Sequence, residues 1–268
     1  MRRATIIIST KETQNKLLLE RFKDKVPNCF LKYYNENGLW LPLEVGSAEL
    51  ENALGLIREN NMDVWFRSVV HYTQKELEET QYFHLIEFVP LELEGTSAAD
   101  YGTRYEGGCP YCGVGQKRVG DVVVDRKFVR KYKFGNLNPE LFASEELKLL
   151  IEQEGLTGIT FGSPLKDFKG REMPLLYSVQ INSVLPRMSE STWLTTEGHC
   201  LKCGKDTICL RSDLQYEREK LTDAKDFNLT YEHLDNWHLR NIVISAKARN
   251  LFKKHKIQMG RYTPIAIL

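Results

Sequence analysis

An α+β fold, with mixed sheets, short helices and a zinc-ribbon-like four-cysteine site formed by two distant knuckles, is predicted by three features of the 268-residue sequence. Apolar residues alternate with period two, as at Leu175, Tyr177, Val179 and Ile181, the pattern of a half-buried strand. Serine and threonine recur just before apolar residues at helical spacing, which marks short capped helices between strands. Two Cys-x-x-Cys-Gly turns recur with 87 residues between Cys112 and Cys200 and no intervening low-complexity stretch. Composition agrees: 42% hydrophobic and 27% charged residues suit a chain with an ordinary globular core and exclude a disordered tail or a fibrous repeat.

Taken in order, Thr5–Ile8 reads as a strand and Ser9 as the cap of a helix, because Glu12 lies three residues on and can answer the cap's own amide. Leu17, Leu18 and Phe22 give that helix an apolar stripe. Phe30–Tyr34 and Leu39–Val45 flank Asn37-Gly38, a dipeptide that tolerates the positive φ of a tight hairpin. Ser47 starts a helix with Leu50, Leu54 and Ile57 on one side, Val64–Val70 reads as a strand, and Thr73 with Glu76 repeats the capping box. Phe83–Val89 reads as a further strand. Residues 95–108 are small, polar and glycine-rich, which places a boundary between an N-terminal α/β region, 1–100, and a cysteine-bearing domain, 101–268. Ile208 and Leu210 suggest another strand.

The second domain contains an internal echo. Leu141-Phe142-Ala143-Ser144 leads a helix using Leu147, Leu150 and Ile151, then a strand ending near Pro164-Leu165. Ile242-Val243-Ile244-Ser245 leads a helix with Leu251 and Phe252, then Ile257 and a strand around Pro264-Ile265. Ile6-Ile7-Ile8-Ser9 begins the same way. The two longer units both read as strand, serine cap, amphipathic helix and return strand.

The chemistry concentrates in Cys109-Pro110-Tyr111-Cys112-Gly113 and Cys200-Leu201-Lys202-Cys203-Gly204. Two residues between thiolates let one tight turn aim both sulfurs at a single ion, and the following glycine accepts a left-handed backbone. Cys109, Cys112, Cys200 and Cys203 together make a tetrahedral zinc site with no position left for water, hence structural rather than catalytic. Three other uses of these residues stand beside it: a glutaredoxin-like Cys-x-x-Cys redox pair, disulfides, and mixed ligation with His199. Cys29 and Cys209 lie in apolar surroundings and read as small core residues.

Charge narrows the partners. With 37 Lys and Arg against 36 Asp and Glu, the net charge of +1 predicts no nucleic-acid partner. No apolar stretch reaches the roughly 18 residues of a membrane span, and the start of the chain lacks the apolar run of a signal peptide, so a cytoplasmic location is expected. Residues 37–106 nevertheless carry 13 acidic side chains against 4 basic ones. Lys117–Lys133 is basic and includes Phe128 and Tyr132, with Phe134 next to it, aromatics suited to stacking on bases. A zinc-ribbon nucleic-acid-binding module is therefore the alternative reading. No phosphate loop, nucleophile elbow or His-Glu-x-x-His helix is present, and His71, His84, His233, His238 and His255 are scattered, so no enzyme is expected.

The two knuckles, the serine-capped helix running into Glu154-Gly155-Leu156-Thr157-Gly158-Ile159 and the closing Asn241–Pro264 segment resemble the bacterial double-CXXCG motif proteins. Some members of that family are immunity proteins that neutralise a toxin exchanged between neighbouring cells. The resemblance, over residues 101–268, implies a soluble scaffold that binds a cognate toxin protein. An acidic surface would steer it onto a basic toxin. Glu76, Glu78, Glu79, Glu87, Glu92 and Glu94 are the candidate partner-binding residues.

Overall fold

The computed structural model describes residues 3–10, 18, 20–22, 39–86, 99, 102–125, 132–137, 139–234 and 240–268. It is a mixed α+β structure, mostly small sheets with a few short helices. The chain forms two compact units: Met1–Glu79 with Leu210–Asp213, and Thr80–Cys209 with Leu214–Leu268.

In the smaller unit, β1 (Arg3–Thr10) lies between β2 (Leu39–Glu44) and β3 (Val64–His71), antiparallel to both. Ser9 is a strand residue in register with Trp40 and Trp65 rather than a helix cap, because a strand with neighbours on both sides can satisfy its backbone groups in two ladders. Leu18 and Phe22, one helical turn apart, are both buried, as the apolar stripe predicts. Leu17, Phe30–Tyr34 and Asn37-Gly38 fall outside the described residues. Helix α1 (Ala48–Glu59) begins as expected: Ser47 Oγ accepts from Leu50 N at 3.1 Å, and Leu50, Ala53 and Ile57 pack with Ile8, Leu41 and Leu43. The capping box is reciprocal ahead of α2 (Gln74–Glu79), with Thr73 N donating to Glu76 Oε2 at 2.8 Å and Glu76 N to Thr73 Oγ1 at 3.2 Å.

The larger unit runs β4 (Tyr82–Ile86), β5 (Arg104–Glu106), β6 (Lys117–Val119), β7 (Phe134–Asn136), β8 (Leu141–Ser144), α3 (Glu145–Gln153), β9 (Ile159–Lys166) and β10 (Glu172–Ile181). It continues with β11 (Leu194–His199), β12 (Asp206–Leu210), β13 (Gln215–Tyr216), β14 (Phe227–His233), β15 (Arg240–Ser245), α4 (Ala246–Lys254), β16 (Arg261–Pro264) and β17 (Ala266–Ile267). The compact units divide at 79/80, whereas the sequence suggests 100/101. β4 hydrogen-bonds between β15 and β16, strands more than 150 residues later, and so belongs with them. Such long-range pairing leaves no local mark in the sequence.

The internal echo is present in space. Ser144 Oγ accepts from Leu147 N at 3.2 Å to cap α3, and Ser245 Oγ accepts from Ala248 N at 3.1 Å to cap α4. Each helix follows the second strand of an antiparallel hairpin and leads to an edge strand. The sheets have orders β7-β8-β10-β9 and β14-β15-β4-β16, with every neighbouring pair antiparallel. They share one layout. The inner strand beside the edge comes after the return strand in the first sheet (β10) and ahead of the whole unit in the second (β4). The second sheet is thus a circular permutation of the first.

The alternation at residues 175–181 is only partly realised. Val179 and Ile181 are buried, but Leu175 is 63% exposed because β10 shifts register against β9 between Met173 and Tyr177 and again between Tyr177 and Val179. A bulge reverses which parity of residues faces the core.

Candidate metal centre

Each cysteine pair sits at the turn of a short hairpin. β5 and β6 pair antiparallel on either side of Cys109–Cys112, and β11 and β12 pair on either side of Cys200–Cys203. Within the turns the same bonds recur 91 residues apart. Cys109 N donates to Val114 O and Cys200 N to Lys205 O, both at 2.8 Å; Gly113 N donates to Cys109 O at 2.7 Å and Gly204 N to Cys200 O at 2.8 Å. Gly113 and Gly204 both have φ of +71°, the left-handed conformation the motif anticipates. Ahead of the first pair, Gly108 is confined as well, since a Cβ there would lie 2.4 Å from the backbone N of Gln116.

These two turns bring four sulfurs together. Cys109 Sγ lies 3.8 Å from Cys200 Sγ, Cys112 Sγ lies 3.5 Å from Cys203 Sγ, and all four lie within 4.8 Å of one another. Four thiolates bound at ~2.3 Å in a tetrahedron stand ~3.8 Å apart, so the spacing fits one ion. It is far too wide for a disulfide of ~2.05 Å, and none of the four cysteines is oxidised to one. Cys109, Cys112 and Cys200 are buried with Val114 packed against them, while Cys203 is exposed.

The local electrostatics divide the four sulfurs, lowering the thiols of Cys109 and Cys200 and raising those of Cys112 and Cys203. The backbone N–H groups of Cys112 and Tyr111 aim at Cys109 and hold its thiol down to about 6. Burial pushes the Cys112 thiol up to about 12. Cys109 lies in a hairpin turn, not at the helix N-terminus on which the glutaredoxin-like reading depends. His199 Nδ1 is 2.8 Å from Asp206 Oδ1, and the four-sulfur cluster is complete without it.

The other candidate residues are dispersed. Glu76 caps α2, Glu78 accepts from Gln74 at 2.8 Å, and Glu79 forms an exposed pair with Lys75 at 3.8 Å. Glu87, Glu92 and Glu94 lie outside the described residues, as do Cys29, Phe128 and His238. Cys209 is buried. Around the basic stretch, Phe134 is fully buried and Tyr132 packs against the cluster of Val122, Val124 and Phe142, so neither ring is presented for stacking on a base. Arg118 pairs with Glu140 at 3.3 Å and Lys133 with Glu146 at 2.6 Å.

One feature escapes sequence reading: a cleft of about 370 Å³ in the larger unit, lined by segments of β7, β8, β10, β14 and β15. Its nearest sequence signal is the polar cluster at the ends of the β14–β15 hairpin, where His233 and Arg240 face each other in register. Among the described residues no helix is long and apolar enough to cross a membrane. No protein-family model matches the chain, and no curated protein matches it.

Proposed function

We propose that the protein is a non-catalytic immunity protein, held in shape by one structural zinc ion, that neutralises a cognate bacterial toxin in the cytoplasm by binding it. The observation that carries this reading is the convergence of Cys109, Cys112, Cys200 and Cys203 from two hairpins 91 residues apart. Four thiolates suit zinc and saturate it, leaving no position for a substrate or an activated water. The ion then ties distant parts of one chain together, which favours a rigid scaffold that works through its surface. The resemblance of residues 101–268 to double-CXXCG immunity proteins supplies the toxin as partner.

Recognition is assigned to the acidic region. Exposed Glu78 and Glu79, half-buried Glu76, and Glu87, Glu92 and Glu94 would steer a basic toxin and compete with its own anionic substrate. The test is to look for a polymorphic toxin gene beside this protein's gene and to co-express the two. Restored growth and a stoichiometric complex on size-exclusion chromatography are expected; undiminished killing with no complex would contradict the reading. Reversing Glu78 and Glu79 to lysine should slow association at low salt by roughly tenfold.

A further inference from the structure

We propose that the cleft in the larger unit is a binding site for a small organic anion, an anionic head group on an apolar body, with Arg240 receiving the head group. This site is independent of the toxin reading and of the four cysteines.

The cleft arises where the two four-stranded sheets meet. Leu229 N of β14 donates to Ser183 O at 2.8 Å and Leu185 N donates to Leu229 O at 2.9 Å, so the segment after β10 runs along β14. Beyond that junction the β7–β8 and β14–β15 hairpins leave a space of about 370 Å³, within the range of small-molecule pockets. Ile181 and Ile242, both buried, and half-buried Leu229 supply apolar walls.

The polar groups are placed for an anion. His233 and Arg240 are cross-strand partners, and Arg240 Nε donates to His233 Nε2 at 3.2 Å. That bond orients the guanidinium through its Nε, while its two terminal nitrogens make no hydrogen bond or ion pair among the described residues. A guanidinium held in this way offers the two-pronged donor geometry that matches a carboxylate or phosphate. Beside it, the side-chain amide of Asn241 also has no hydrogen-bond partner among the described residues. Asn182 commits its amide nitrogen to Thr160 Oγ1 at 2.8 Å and so is not a donor to the head group. One carboxylate, Glu140, also borders the cleft. It accepts from the Tyr105 hydroxyl at 3.1 Å and pairs with Arg118 Nε at 3.3 Å, so its charge is already balanced. Arg240 stacks over the Tyr231 ring at 5.8 Å but has no carboxylate partner among the described residues, so it is the charge left for an anion.

The test compares three phenyl-bearing probes on the full chain: 4-phenylbutyrate, phenyl phosphate and the neutral 4-phenylbutyramide. Methyl NMR of isoleucine-labelled protein reads binding and location together. At least one anion should shift the Ile181 and Ile242 methyl signals, and the amide should bind about tenfold more weakly or worse. The stronger of the two anions identifies the head group. Arg240→Gln should abolish the preference for the anion while leaving the methyl spectrum of the free protein folded, and Arg240→Lys should restore only part of it. Equal binding of acid and amide, shifts confined to other methyls, unaltered affinity in Arg240→Gln, or no binding by any probe would each overturn the proposal. Should Arg240→Gln fail to fold, the acid-against-amide comparison on the unaltered chain decides alone.

Discussion

Cys109 and Cys200 place their sulfurs 3.8 Å apart although 91 residues separate them along the chain. Among the described residues no backbone hydrogen bond links the two hairpins. Each cysteine is fixed within its own hairpin by a bond from its amide, to Val114 O in one and Lys205 O in the other, but between the hairpins the sulfurs themselves are the meeting point. Without an ion, four crowded thiols contribute little; with one, they cross-link the larger unit.

Metal removal should therefore act on the larger unit as a whole. A strong chelator, or the double substitution Cys109→Ser and Cys200→Ser, is expected to lower its thermal midpoint by on the order of 10 °C. The chelator should have no further effect on the double variant. Differential scanning calorimetry with and without chelator checks both expectations.

The serine caps give a second, independent expectation. Ser144→Ala removes the bond from Leu147 N and should cost about 1 kcal/mol. Ser245→Ala should cost more, roughly 2 kcal/mol, because Ser245 Oγ also donates to Asp226 Oδ1 at 2.6 Å. Urea unfolding of the two variants side by side measures the difference; equal losses would show that the Asp226 bond adds nothing.

Acid stability should depend on Asp167. Its side chain is 5% exposed, and the Arg171 guanidinium beside it, at 2.8 Å from Nε and 2.6 Å from Nη2, holds its carboxyl below the usual carboxylate range. Because the folded value lies below the unfolded one of about 3.9, the stabilisation is complete above that pH. It is lost as pH falls through the folded value. Asp167→Asn should flatten this acid limb of the stability profile and lower stability at neutral pH, as read by denaturant midpoints between pH 7 and pH 2.

What the sequence made legible was local. Ser47, Ser144 and Ser245 cap helices because a cap needs only a hydroxyl and the amide three residues on. The two knuckles were equally legible, since spacing and a glycine define them. Ser9 carried the same cap signature, yet it is drawn into a strand by partners some 30 and 56 residues away. Leu175 carried the alternation, yet a bulge turned it outward. The affiliation of β4 and the lining of the Arg240 cleft depend on strands brought together by the permuted sheet order, which no window of neighbouring residues encodes.

The most direct test is X-ray absorption at the zinc edge on protein purified without added metal. One zinc per chain, bonded to four sulfurs at ~2.3 Å with no nitrogen or oxygen neighbour, is the expected result. A metal-free protein that remains fully folded, or a zinc with a light-atom ligand in place of a sulfur, would contradict a closed structural centre.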